Sequence, residues 1–378
     1  MPSYAAYLGC GSTGNAATSY PCVLYRPTPG AAWTKIHQSP TQAVSFSGIH
    51  GLADGSFIVA VGGMAIRDSY RSNVAALSYY KESVGAWQSV TTGLPASPAM
   101  FTCVFVADSD TVYIGGTDGE FASGGRGYLW KWTPSTNTFN VEIDMGKSGG
   151  SALKACPSVH GTGPNNVWAS EYNGGCDCNG RIWTWNGGPS WIYTGQPPEG
   201  GYSVSSTPML YAVSNSDVFA NAVSGSSTSP GYRGSYGRWD GATWTWTIPT
   251  PTSGQSSHAA VATGAWAVLT SYQSSAVRTY KVVGAVMTEK FTFTSQGKSC
   301  ALALTPDETQ ILWAGTDNNY GGDAHRAFIR ESFDSGENWG SLTHLQDDLL
   351  AGYHFVASAW FGLPVFAADP NPSFELVG

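Results

Sequence analysis

The chain alternates between short apolar runs and Gly/Ser-rich breaks, and the apolar runs follow a fixed order. A β-rich phrase recurs as SFIVAVGG (56–63), DTVYIGGT (110–117), NNVWASEY (165–172), SDVFANAV (216–223), AWAVLTSY (265–272) and QILWAGTD (310–317), with YAAYLGCG as an N-terminal relative. After each phrase comes a polar stretch and then a second apolar segment: CVLYRP, ALSYYK, GYLWKW, GRIWTW, YGRWDG, VRTYKV and AFIRES. Short runs rich in Val, Ile, Tyr, Phe and Trp, bounded by Gly, Asn, Asp and Ser, read as strands. A tight turn and a large apolar anchor follow at Trp33, Trp87, Phe139, Trp191, Trp244, Met287 and Trp339, so the unit repeats about every 51 residues.

Each unit also holds an inner segment ahead of the phrase, such as FTCVFVAD or CALALTPD. Four-stranded sheets repeated at ~40–50 residues are the pattern of a β-propeller, in which radial stacking protects most strand edges. The expectation is an all-β, seven-bladed β-propeller forming a single domain over residues 1–378. Near the C-terminus, GYHFVASAWFGLPVFAAD has the form of another inner strand and its successor, while the N-terminus begins partway through a unit. The N- and C-terminal strands are therefore expected to share one blade and close the ring. The tail segment SFELVG adds material for an extra terminal edge strand or an eighth blade, and both alternatives stand.

Composition agrees with strands joined by tight turns. The chain has 47 Gly, 15 Trp, 19 Tyr and 15 Phe but only 12% charged residues, against a usual ~25%. With 18 basic and 26 acidic side chains the net charge is −8, which supplies no basic field to collect phosphate backbones, so nucleic acid is not an expected partner. No apolar run approaches the ~20 residues of a membrane span, and MPSYAAYLGCGSTG lacks the cationic and apolar succession of a Sec signal. Seven cysteines leave at least one thiol unpaired in a monomer and do not suggest a disulfide scaffold.

Ser332, Asp334, Gly336 and Trp339 fit the spacing Ser-x-Asp-x-Gly-x-x-Trp, and this resembles the Asp-box of sialidase-like and related bacterial and phage propeller repeats. The resemblance implies that the box sits in the turn between third and fourth strands. There a carboxylate beside Gly accepts backbone N–H bonds, and the Trp packs between sheets. WDGATW and WNGGPSW are degenerate forms of the same turn, so Asp334 reads as structural. The sialidase site itself is not expected: LYRPTP (24–29) departs from that family's arginine motif after Arg26-Pro27, and repeated Asp-boxes are missing.

Connections between second and third strands are long and polar, and they leave from the same ends of successive strands, so they are expected to share one face. They carry Arg67, Tyr70 and Arg71; Asp118, Glu120 and Arg126; Glu171, Tyr172 and Asp177; Tyr232, Arg233 and Tyr236; and Asn319, Tyr320, Asp323, His325 and Arg326. Tyr offers contact area at little entropic cost and Arg binds carboxylates with two parallel hydrogen bonds, a mixture suited to a glycan or a polar protein surface.

Cys156, His160, Cys176 and Cys178 are ligand types that suit zinc, but Cys-x-Cys is the less common spacing and Cys156 falls where Cys103 and Cys300 fall in other repeats. Small buried fillers, free thiols or a local disulfide are the preferred reading. DNNYGGD (317–323) partly imitates a calcium loop, yet Phe328 stands where the closing Glu is needed, so no cofactor is expected. His50, His160, His258 and His354 fall near inner strands and read as core or channel-wall residues.

The leading expectation from these features is a non-catalytic binding platform, similar in style to phage virion components such as tail or capsid-decorating proteins. On that reading the long-loop face binds a glycan or a neighbouring virion or cell-surface protein, within a larger assembly at the virion or extracellular surface. The alternative is an extracellular carbohydrate-active enzyme, a glycoside hydrolase or lyase, using two carboxylates from Asp118, Glu120, Glu171, Asp177 and Asp323.

Overall fold

The computed structural model describes residues 4–12, 20–41, 43, 45–63, 75–96, 100–118, 125–147, 154–173, 180–196, 209–225, 232–247, 256–262, 266–271, 276–283, 286–294, 298–305, 307, 309–317, 326–345 and 354–363. The regular structure among them is strand, and no helix is long and apolar enough to cross a membrane.

The strands pair antiparallel into six sheets. The largest contains two four-stranded runs. One is His354–Gly362, Ala5–Ser12, Cys22–Arg26 and Thr34–Gln38; the other is Ser45–Gly51, Phe57–Gly63, Ala76–Lys81 and Ala86–Ser89. The strand pairing that joins them is the single pair Gly11 and Ser45. Five further runs begin at Met100–Asp108, Val159–Gly163, Met209–Ser214, Ser256–Ala262 and Lys298–Leu304. The first strands contact one another in a cycle: His354–Gly362, Ser45–Gly51, Met100–Asp108, Val159–Gly163, Met209–Ser214, Ser256–Ala262, Lys298–Leu304 and back to His354–Gly362. Sheets arranged radially around such a cycle make a β-propeller. The strand Ala5–Ser12 pairs along its length with His354–Gly362, which joins the two ends of the described chain in one sheet. SFELVG lies outside the described residues.

The core lies between adjacent sheets, and this explains why the strands read as continuous apolar runs rather than clean alternations. Successive side chains point to opposite faces, and here both faces are covered. Ala6, Leu8 and Leu24 pack against Leu312, Ala314 and Ile329 of the last run, whereas Ala5, Tyr7 and Val23 pack against Phe46, Ile58 and Ala60 of the second. Every residue of Phe57–Gly63 is buried. Trp33, Trp87, Trp191, Trp244 and Trp339 lie half-buried against these inter-sheet clusters.

A first strand has one edge without a strand partner, whose N–H and C=O groups need other partners. Side chains of the neighbouring run supply them. Ser358 Oγ donates to Phe46 O (3.0 Å), Ser47 Oγ to Phe101 O (2.8 Å) and Thr102 Oγ1 to Cys156 O, while Leu210 N donates to Ser158 Oγ (3.0 Å). Deeper along the strands, Val106 N donates to His50 Nδ1 (3.2 Å) and Ala212 N to His160 Nδ1 (3.0 Å). An imidazole can accept at Nδ1 only while that nitrogen carries no proton. The rings continue as an aromatic arc: Trp360 is 6.1 Å from His50, His50 is 5.1 Å from Phe105, Phe105 is 5.6 Å from His160, and His160 stacks on Tyr211 at 4.4 Å.

Burial holds these imidazoles neutral. His50 is lowered to about 3, with His160 adding to the burial effect, and burial alone lowers His160 and His37 to about 4. The unfolded chain takes up the same protons near pH 6.5. Above that pH neither state is charged; as pH falls from 6.5 toward 4 only the unfolded state binds protons, so stability is lost across this window. Each histidine contributes a slope of about 1.4 kcal/mol per pH unit. Thermal unfolding followed from pH 7.5 to 4.5 is expected to show a steep fall in Tm below pH 6. The double variant His50→Gln/His160→Gln is expected to flatten it, and an unchanged slope would contradict the assignment.

Candidate active site between adjacent sheets

At the long-connection ends of the third and fourth runs, ionisable side chains form one connected group. Thr111–Thr117 and Arg126–Thr133 are neighbouring strands, and Asp118 continues the pairing beyond the first of them, its N–H donating to Arg126 O (3.0 Å). Its carboxylate accepts from Arg126 N (2.7 Å) through Oδ1 and from the Tyr128 hydroxyl (3.1 Å) through Oδ2. The Arg126 guanidinium turns to the next strand, where Nε donates to Asp144 Oδ1 (3.2 Å) and the second nitrogen to Oδ2 (2.5 Å). The Arg126 hydrogen bond, outweighing partial burial, holds Asp144 below the usual carboxylate range. Burial and the Asp118 charge push the Tyr128 phenol up.

Met145, beside Asp144, connects this group to the next sheet. Its carbonyl accepts from Lys154 Nζ (2.9 Å), and the same ammonium donates to Glu171 Oε1 (2.9 Å). Lys154 N also donates to Gly125 O (3.0 Å). Glu171 is 1% exposed, and its second oxygen, Oε2, is buried without a hydrogen-bond partner among the described residues. An ionised carboxylate can accept about four hydrogen bonds, so Oε2 is an open acceptor in a desolvated setting. Segments 119–124, 148–153 and 174–179 join the strand ends that carry the group, and lie outside the described residues.

The structure thus connects Asp118, Arg126 and Glu171 from the sequence-derived set and adds Lys154, Tyr128 and Asp144. Arg126 and Tyr128 are two apart in a strand, a spacing that puts both on one face, and this signal was open to sequence reading. Lys154, set in the apolar segment SALKAC, was a second signal. Tyr172 is half-buried opposite Ala155. Tyr236 requires a correction: it is 2% exposed, stacks on Phe219 at 5.8 Å and belongs to the interior rather than to a recognition face. Polar neighbours in YRGSYGRW concealed its inward position. Tyr232 and Arg233 pair through their backbones with Gly225 and Ser224, and Arg326 with Asp317. Arg67, Tyr70, Arg71, Glu120, Asp177, Asn319, Tyr320, Asp323 and His325 lie outside the described residues, as do Cys176 and Cys178. No group of three metal-ligating side chains occurs among the described residues.

The Asp334 turn is elsewhere, after the third strand of the last run. Asp334 Oδ1 accepts from Asn338 N (2.8 Å) and from Ser332 Oγ (2.9 Å), and Gly336 N donates to Ser332 Oγ (2.8 Å). Gly336, at φ 77°, takes the left-handed conformation that its lack of Cβ permits. Asp240 receives Ala242 N (2.9 Å) and Thr243 N (2.8 Å), and Asn186 receives Gly188 N (3.2 Å), at equivalent turns. Asp334→Ala is expected to lower Tm by a few degrees in thermal unfolding; an unchanged Tm would contradict the structural role.

No protein-family model and no curated protein matches the chain. Solved structures do. One from Bacteroides uniformis, provisionally assigned as a 6-phosphogluconolactonase, is 13% identical, with 96% of this chain and 100% of that chain covered at a TM-score of 0.58. The periplasmic gluconolactonase of Pseudomonas aeruginosa is 13% identical over 93% of this chain and 99% of that one, at 0.58. The polysaccharide lyase Uly1 is 9% identical over 87% and 88%, at 0.54. At these identities the likeness is one of fold. It nevertheless corrects the expectation of a non-catalytic virion platform, because these three structures bear the names of enzymes. The Gly/Ser/Thr-rich, Trp-rich composition that suggested virion style is what strands and tight turns of this fold require.

Proposed function

We propose that the protein is a carbohydrate-active enzyme of an extracellular or periplasmic compartment, hydrolysing the ester of a sugar lactone with Glu171 as general base. The observation that carries this reading is the buried Glu171 carboxylate, held by Lys154 through one oxygen and without a partner among the described residues at the other. In the proposed reaction Glu171 Oε2 takes a proton from a water molecule as its oxygen attacks the lactone carbonyl. The ring C–O bond then breaks, and the leaving oxygen receives a proton to give the hydroxy acid. Lys154 orients the carboxylate and balances its charge. Lactonase and lyase names among the fold relatives support a carbohydrate substrate.

Charge favours a lactone over an anionic polysaccharide. Asp118, Asp144 and Glu171 face Arg126 and Lys154, and each cation is already engaged by a carboxylate. Elimination from a uronate needs its carboxylate neutralised, whereas an unphosphorylated aldonolactone brings no charge. The test is turnover by the wild-type protein on aldonolactones, phosphorylated aldonolactones and uronate polysaccharides. Acid release in a pH-stat reads hydrolysis, and absorbance of the unsaturated uronate reads elimination. Acid release lost in Glu171→Gln is expected. Elimination alone, or no turnover on the panel, would overturn the proposal.

A further inference from the structure

Beneath the Lys154–Glu171 pair, two thiols converge from neighbouring sheets. Cys103 belongs to the first strand Met100–Asp108, and Cys156 follows the short strand Lys154–Ala155 of the next run. Cys103 Sγ lies 3.2 Å from Cys156 O. Both sulfurs flank Gly115, the cross-strand partner of Cys103: a Cβ there would stand 2.5 Å from Cys103 Sγ and 2.7 Å from Cys156 Sγ. The glycine leaves the space in which the sulfurs meet. Cys156 is buried, and burial together with its contact to Cys103 pushes its thiol up, while Cys103 is half-buried.

We infer that Cys103 and Cys156 are a modification site, closing to a disulfide between adjacent sheets when the protein meets a disulfide oxidant. The half-buried Cys103 thiolate attacks the oxidant, such as oxidised glutathione, forming a mixed disulfide and releasing one reduced glutathione. Cys156 then loses its proton and displaces the second glutathione, so two protein thiols are oxidised and one glutathione disulfide is reduced to two thiols. The bond would pin the segment that carries Lys154, two residues before Cys156, to the neighbouring sheet. It would close a loop of about one repeat, and cross-links of that length stabilise mainly by restricting the unfolded chain. Cys10 and Cys22, directly opposite each other in their strands, are a second buried thiol pair and an internal comparison.

The proposal is tested on wild-type protein equilibrated with oxidised or reduced glutathione, alkylated in denaturant and mapped by peptide mass. The oxidised sample is expected to yield a Cys103–Cys156 cross-linked peptide and to unfold several degrees higher than the reduced sample. That Tm difference is expected to shrink in Cys103→Ser. Alkylation of both thiols in the oxidised sample, a glutathione adduct that never resolves, or cross-linking confined to Cys10–Cys22 would each overturn it. Mass mapping of the wild-type chain needs neither a folded variant nor any enzymatic turnover, so its outcome is independent of the reaction proposed above.

Discussion

Glu171→Gln is expected to lower lactone turnover by about 10²–10⁴-fold, the usual contribution of a positioned general base. The amide keeps the shape of the side chain and an oxygen that can face Lys154 Nζ, now 2.9 Å from Oε1, but it cannot take a proton from water. The effect should fall on kcat, with KM little changed, because the base acts in the transition state. A purely structural role gives a different result. If the Lys154–Glu171 pair serves only to fasten Lys154–Ala155 to the strand Asn166–Asn173, the variant loses Tm while any turnover survives. Lys154→Met supplies the complementary arm, since it strands the Glu171 carboxylate in the interior and is expected to destabilise the fold by about 3–5 kcal/mol.

Arg26→Ala is expected to destabilise the protein by about 3–5 kcal/mol, measured by denaturant unfolding. Arg26 ends the strand Cys22–Arg26 of the first run and is 4% exposed; Glu331 lies in Arg326–Ser332 of the last. Their bidentate pair, with one bond at 2.7 Å, crosses the boundary where the beginning and end of the chain adjoin. The guanidinium also sits 4.8 Å from the Trp33 ring centroid, an attraction lost in the variant. Removing only the arginine leaves Glu331, 16% exposed, without its cation. The double variant Arg26→Met/Glu331→Leu should recover most of the loss, because a matched apolar pair removes the stranded charge. A change below about 0.5 kcal/mol in the single variant would show that the pair contributes as little as an exposed salt bridge.

The repeat made the fold legible. Apart from the run shared by Ala5–Ser12 and His354–Gly362, each four-stranded run draws its strands from one local stretch of sequence, so SFIVAVGG, its successor and the anchor Trp87 announce a unit without knowledge of the others. The site was legible only in part, because pairing between sheets depends on how neighbouring units meet. Asp118, Arg126 and Glu171 stood out as charges at strand ends, but nothing in the sequence tied Glu171 to Lys154, because Lys154–Ala155 is a two-residue strand with no pattern of its own, and its contacts to Gly125 and Met145 depend on how neighbouring sheets meet. Tyr236 failed for the opposite reason: in a sheet covered on both faces, a tyrosine between polar residues can still point inward. The role of His50 and His160 was equally hidden, since each accepts an N–H about one repeat later in the chain.

The pairing of Ala5–Ser12 with His354–Gly362 sets a timetable for the ribosome. Ala5–Ser12 must wait, one edge bare, until the distant His354–Gly362 has been synthesised. During that interval it is open to pairing with another nascent copy, and long-range closure of this kind is intrinsically slow. Yield of the native ring should therefore depend on chaperone capacity and on how crowded the translating message is.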